Sequence, residues 1–469
     1  MSSRLRPSQT LLLGSLIFGL FFGAGNLIFP AQMGRTAGQA AAVATAGFLI
    51  TAVGLPLLGV VAAALSRARD MRELTSATSR RFALAFTCAL YLTIGPLFAI
   101  PRTATVSYEV GIRPLLSPDA GRWPLVAFSL VFFALTAAAA LRPGRLLDWV
   151  GRYLTPLFLV LLAALVVAAI VRPMTGEALP SAAGPYADRA FTAGLLDGYN
   201  TMDALASLAL AIVIVDAVRR LGVSSPGRMA AEIGKASVVA GAGMAIVYGA
   251  LAFIGATSVG SVAEAANGGA LLAAVSRHLF GGPGQVLIAA IVFVACLKTA
   301  IGLITACGEM FAALLPVGGG YRWWTLGFVA VSLLIANAGL ATIVSYSIPV
   351  LMFLYPLTIV TILLGLATPL LARRRPVYRW VVGATALAAV FDLLAALPAP
   401  LSEAGVVTSA TRAAGSVLPG FESGFGWVVP ALVGLVVGLV HAALRPEEVP
   451  SPAALAEVAD PADATSPPA

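Results

Sequence analysis

Apolar runs of about twenty residues recur along almost the whole chain with short polar connections between them. A helix needs a run of about that length to cross ~30 Å of hydrocarbon at ~1.5 Å per residue. The sequence holds twelve such runs, at roughly 9–33, 39–65, 82–101, 123–141, 153–171, 190–218, 236–257, 285–312, 323–337, 341–371, 378–398 and 426–444. Of the 469 residues, 59% are hydrophobic and 11% charged, against about 25% charged in soluble domains. These figures exclude a soluble enzyme and predict one all-α polytopic membrane domain over 1–444. Beyond Arg445 the chain turns to Pro, Ala, Asp and Glu, too little apolar material to fold, so 445–469 reads as a disordered cytoplasmic tail. The amphipathic stretch 264–280 reads as a surface helix in a loop.

The net charge of +8 does not form a nucleic-acid patch. Twenty of the 29 basic residues fall on one set of alternate connections and eight on the other, with Arg102 among the eight. That bias places both termini in the cytoplasm. The remaining basic residue, Lys298, falls in the middle of the eighth run. The opening MSSRLRPS is too short for a cleavable leader, so the first run reads as a retained span. Cys88, Cys296 and Cys307 lie in apolar runs and read as small core residues. His278 and His441 are far apart, which leaves no metal site. Nothing resembles HExxH or a GxSxG in a suitable context, and Asp197 and Asp203, six residues apart, do not share a helical face. An intramembrane enzyme is therefore unsupported, and no repeated pore-lining element suggests a channel.

Two runs carry polar and glycine residues where an unbroken helix should have none. FGLFFGAGNLIFP holds Gly23, Gly25, Asn26 and Pro30 in the first run. FTAGLLDGYNTMDALASLAL holds Gly194, Asp197, Gly198, Asn200, Thr201 and Asp203 in the sixth. A helix break in hydrocarbon is costly unless it lines a cavity. Runs one and six correspond if the first ten form two repeats of five, at about 9–171 and 190–371, with accessory helices at about 378–444. Discontinuous helices meeting at the midplane are how such repeats build a binding site.

The strings GAGNLIFP (23–30), GFLITAVGLPLL (47–58), IGPLFAIPRTATVSYEVG (94–111), PGRLLDWVG (143–151), GYNTMDALA (198–206), ACLKTAIGLITACGEMF (295–311) and IPVLMFLYP (348–356) resemble the bacterial branched-chain amino acid transport system II carrier family. The resemblance reaches to about residue 444. It implies a secondary transporter of leucine, isoleucine and valine in the bacterial plasma membrane, usually sodium-coupled, with the five-plus-five inverted-repeat (LeuT-like) fold. No cofactor is implied beyond a coupling Na+ or H+, and no partner beyond the amino acid and the bilayer.

For such a substrate, unwinding at Phe22, Gly23, Ala24, Gly25 and Asn26 would free N–H groups at the positive end of a helix dipole for a carboxylate. Unwinding at Gly198, Tyr199, Asn200 and Thr201 would free carbonyls for an ammonium. The glycines Gly23, Gly25 and Gly198 would let backbone approach ligand. Tyr91, Ile94, Tyr199, Met202 and Ile301 would shape the side-chain pocket, and Asp203 could take a cationic side chain instead.

The resemblance also implies an ion site formed by Ala295, Lys298 and Thr299 with Gly19 and Phe22 opposite. Here an ammonium occupies one ligand position, and two cations cannot share that space at low dielectric. Three readings stay open: Lys298 replaces the ion, so that transport is proton-coupled or uncoupled; Lys298 pairs with an acid such as Asp203; or sodium binds elsewhere. Of the remaining residues, Pro96, Pro101, Pro349 and Pro356 mark kinks. Arg102 is expected to anchor span 3 at the outer interface, with gating against Glu109 as the weaker alternative. Asp392 is expected to pair within its helix or at an oligomer contact, and Glu309 to be solvated or part of a gate.

Overall fold

The computed structural model describes residues 5–66, 71–117, 119–142, 155–172, 174, 179–223, 225–262, 265–315, 320–371 and 374–444. The 143–151 string and the tail at 445–469 lie outside the described residues. Extended pairing among these residues is limited to isolated bridge residues, Val259 with Val262, and Arg374. Seven helical stretches are long and apolar enough to cross a membrane, and four shorter apolar helices accompany them. The chain is a multi-pass helical membrane protein.

The first run divides into α1 (Pro7–Phe21) and α2 (Ala24–Ala37). The second is α3 (Ala41–Leu49) and α4 (Leu55–Ser66), joined by a wide turn at Ile50–Gly54. The third is α5 (Arg80–Leu92) and α6 (Ala99–Gly111), kinked at Gly95 and Pro96. Next come α7 (Trp123–Ala140) and α8 (Thr155–Val171). The sixth run divides into α9 (Tyr186–Tyr199) and α10 (Asp203–Arg220). The chain continues through α11 (Pro226–Thr257), α12 (Gly268–Phe280), α13 (Gly282–Leu314), α14 (Gly320–Ala336) and α15 (Leu340–Leu366). It ends with α16 (Arg375–Ala395), α17 (Gly405–Val417) and α18 (Val428–Leu444).

Packing between the two halves is reciprocal. Both pieces of the broken first span lie on α11, while α9 lies on α3 and α10 on α4; α6 meets α13, α8 meets α13, and α15 meets α6. Two intertwined inverted units would produce this exchange. The amide of Gln39 donates to Pro180 O at 2.9 Å and that of Ala183 to Thr36 O at 3.0 Å. These bonds put the end of α2 and the start of α9 on the same face, so the two broken spans run in opposite directions.

The seams under α2 and α9 are backbone to backbone. A Cβ added at Gly34 would lie 2.0 Å from Ala252 O and one at Gly255 2.0 Å from Ala31 O; at Gly47 it would lie 2.1 Å from Phe191 O and at Gly194 2.0 Å from Ala44 O. Small residues permit such approach between membrane helices.

Two expectations change. Span 3 does not end at 101, because α6 continues to Gly111. Its buried threonines bond to their own helix, Thr103 Oγ1 donating to Ile100 O (2.6 Å) and Thr105 Oγ1 to Arg102 O (3.1 Å), and Gln285 Nε2 of α13 donates to Val110 O (2.7 Å). Pro101 sits in the first turn of α6, where a missing N–H costs nothing, so only Pro96 marks the kink. Helix α12 is docked rather than free on the surface: Asn267 caps it through Ala270 N (2.9 Å), and Gly268 abuts Ile28 O of α2. Helix α15 continues through Pro349 and Pro356.

Candidate functional site

Both expected interruptions are present, the first shorter than expected, because Ala24, Gly25 and Asn26 already belong to the first turn of α2. In the first, Phe22 and Gly23 are extended, and the Gly23 amide, which would have closed the last turn of α1, instead donates to Asn26 Oδ1 at 2.9 Å. The first-turn amides of α2 have no acceptor within their own helix. In the second, α9 ends at Tyr199 and α10 starts at Asp203, with Met202 at φ +62° between them. Among the described non-glycine residues Met202 alone has positive φ, a conformation that costs about 1 kcal/mol or more. The second break is thus Asn200–Met202, slightly later than expected.

A small cavity of about 40 Å³ lies where the breaks meet. Of the residues expected from sequence, Gly23, Gly25, Asn26, Ile94, Thr201, Met202, Asp203 and Thr299 line it; Leu20, Phe21, Ala99, Ala206 and Leu303 add apolar wall. Asp203 is 4% exposed and its Oδ2 accepts from Asn26 Nδ2 at 2.5 Å and from Tyr248 OH at 3.4 Å. Asn26 Nδ2 also donates to Tyr248 OH. The Tyr248 ring is fixed by Phe22 (centroids 5.7 Å apart) and, edge-on, by Phe48 (5.4 Å).

The remaining expected residues lie elsewhere. The Phe22 side chain packs on Phe18 and Phe158. Of Ala24 only the backbone is described, at the first position of α2. Gly198 faces the wide turn after α3, where a Cβ would collide with Thr51 Oγ1. Tyr199 stacks on Tyr355 at 4.1 Å, and Tyr91 donates to Ala209 O at 3.2 Å. Neither these two nor Ile301 lines the cavity.

The carbonyls expected to receive an ammonium are already engaged. Gly198 O accepts from Thr201 N (3.2 Å) and Thr201 Oγ1 (2.9 Å), Tyr199 O from Met202 N (3.0 Å), and Asn200 O from Arg102 Nη1 (2.7 Å). The break is a tight turn that consumes its own acceptors.

Arg102 is the functional residue that sequence reasoning misplaced. It is 3% exposed and lines the central cavity. Its guanidinium lies 5.2 Å from the centroid of Phe29, and a Cβ on Gly25 would meet its Nη2 at 3.0 Å. Pairing with Glu109 does not occur; that residue lines a separate cavity with Arg113, Arg277 and His278. The signal that could have located Arg102 is the helical spacing of Ala99, Val106 and Val110, which carries the span past 101.

In the expected ion site, Thr299 Oγ1 donates to Ala295 O at 2.9 Å and stands 3.1 Å from where a Gly23 Cβ would be. Gly19 is half-buried in α1. Lys298 is 4% exposed, and its Nζ has no hydrogen-bond partner among the described residues. It lies 5.7 Å from the Phe158 centroid. It does not pair with Asp203, whose oxygen is taken by Asn26 and Tyr248. Asp392 is likewise not paired within its helix: it is 2% exposed, too enclosed for an oligomer contact, and neither oxygen has a hydrogen-bond partner among the described residues. Glu309 is exposed, as expected.

The family described as "Branched-chain amino acid transport protein" matches residues 6–445. The chain belongs to that family. The transporter is 44% identical over 434 residues to the branched-chain amino acid permease BrnQ of Lactobacillus delbrueckii subsp. lactis, covering 92% of this chain and 96% of the relative. It is 41% identical to the permease BraB of Bacillus subtilis (94% and 97% covered) and 38% identical to BrnQ of Escherichia coli K12 (94% and 97%). Its fold is shared with Mhp1, a nucleobase-cation-symport-1 family transporter solved in a closed conformation with bromovinylhydantoin bound. That match has a TM-score of 0.59 at 16% identity and covers 95% of this chain and 97% of Mhp1. The transporter is not an enzyme.

Proposed function

We propose that the protein imports leucine, isoleucine and valine across the bacterial plasma membrane by alternating access, with both termini in the cytoplasm. The observation that carries this reading is the cavity where the two helix breaks meet. The first turn of α2, whose amides have no acceptor within their own helix, stands at one end of it through Gly25 and Asn26, and Ile94, Met202 and Leu303 supply apolar wall. The names of the relatives supply the substrate class. Asp203 is the one carboxylate lining the cavity. A cationic amino acid would need a second, for its side chain as well as its α-ammonium, and this favours a neutral substrate.

We further read Lys298 as standing in place of a coupling sodium ion, so that uptake is driven by protons or runs uncoupled. Its enclosed ammonium, free of hydrogen bonds among the described residues, lies against Phe158, whose ring packs on Phe22 at the break after α1. A second cation there would be strongly repelled.

Uptake of labelled leucine into reconstituted vesicles under separate sodium and proton gradients tests both statements. The expected result is saturable uptake, competed by isoleucine and valine and indifferent to sodium, with sodium stimulation appearing in Lys298→Thr. Uptake that isoleucine and valine do not compete would overturn the substrate assignment. Equal sodium stimulation of wild type and variant would overturn the coupling assignment.

A further inference from the structure

Arg102 and Asp203 line the same buried cavity, yet they form no ion pair. Opposite charges at low dielectric attract strongly and close on one another unless something holds them apart. Here each is tethered away from the other. Arg102 is held by the Asn200 carbonyl and the face of Phe29, and its Nε has no hydrogen-bond partner among the described residues. Asp203 is held by Asn26 and Tyr248.

The position of Arg102 is also electrostatically wrong for an empty site. Its guanidinium lies over the first turn of α2, at Gly25, so a cation faces the positive end of a helix dipole. Two positive elements side by side are stabilised by an anion between them. Asp203 faces the same space with the opposite sign.

We propose that Arg102 and Asp203 are the two jaws of a clamp for a zwitterion. The guanidinium, with the first-turn amides of α2, receives the substrate carboxylate, and the Asp203 carboxylate receives its ammonium. This rests on the assignment of the cavity as the substrate site and names the groups that read the substrate's head. A bound zwitterion completes both charge pairs, whereas a ligand with one charge leaves the other jaw buried and unpaired.

The test is calorimetric binding to the full-length protein in lipid nanodiscs, with leucine, 3-methylbutylamine, which lacks the carboxylate, and 4-methylpentanoate, which lacks the ammonium. Removing one partner of a buried charge pair is a large effect, so wild type is expected to bind leucine about 100-fold tighter than either half-ligand. Arg102→Gln should lose most of that preference over the amine while binding the amine itself about as wild type does. Asp203→Asn should do the same for 4-methylpentanoate.

A variant that weakens leucine and its half-ligand equally is a structural defect and overturns the clamp, as does a variant that leaves leucine binding unchanged. Should Arg102→Gln not fold, Arg102→Lys is read in its place: weaker leucine binding with the amine unaffected supports the proposal, and equal loss overturns it. A wild type that binds the half-ligands within about tenfold of leucine overturns it without any variant. If wild type ignores leucine but binds another aliphatic amino acid with the same variant pattern, the clamp stands and the branched-chain assignment falls. If it binds no α-amino acid, both fall.

Discussion

Asn26 holds three elements together with one amide group. Its Oδ1 takes the amide that α1 abandons, and its Nδ2 serves both Asp203 on α10 and Tyr248 on α11. A polar cluster at this depth is stable only while every member is satisfied. Tyr248→Phe keeps the ring contacts with Phe22 and Phe48 and removes one hydroxyl, a change of about 0.5–1.5 kcal/mol. The expected outcome is a rise of about 2- to 10-fold in KM for leucine, with the melting temperature little changed. Initial uptake rates decide it, and an unchanged KM would remove Tyr248 from the site. Asn26 and Asp203 were legible because polar side chains inside an otherwise apolar run have few explanations. Arg102 was not, since RTATVS looks like a membrane interface when hydropathy is read without knowing which side chains face protein. Nor could spacing show that the turn at 200–202 spends its own carbonyls.

At the scale of helices, the two interruptions have different causes. Gly23 is extended because a neighbouring side chain offers its amide a better partner than the preceding turn does. Met202 takes a left-handed conformation because three successive short-range bonds wind the chain tightly before Asp203 restarts the helix. The glycines nearby serve packing more than flexibility, and two substitutions separate these roles. Gly194→Ala places a methyl against the Ala44 carbonyl and should destabilise by about 1–3 kcal/mol. Gly234→Ala, on α11 with nothing near its added carbon, should be neutral or stabilise by about 0.5–1 kcal/mol. Melting curves of the purified protein in one detergent check both; equal effects would show that the α9–α3 seam has slack. Sequence marked Gly194 as an interruption of the sixth run and assigned no role to Gly234. It could not show which backbone each one meets, because that depends on pairing between residues some 150 positions apart.

For the molecule as a whole, the apolar runs, the two breaks and the charge asymmetry were readable from sequence because the bilayer imposes length and polarity directly. The run at 82–101 was cut short for the same reason that Arg102 was misplaced. Removing Arg102 from the external connections, where it does not lie, sharpens the asymmetry on which the proposed cytoplasmic placement of the termini rests. Reporter fusions check this: a fluorescent protein after residue 444 should mature, and alkaline phosphatase there should stay inactive; the opposite pair would invert the topology. The seams of α2 on α11 and of α9 on α3 have a mechanical consequence. Helices separated by less than a methyl group cannot slide past one another, so each pair travels as one piece. Any motion that admits a solute is therefore expected between such pairs and not within them.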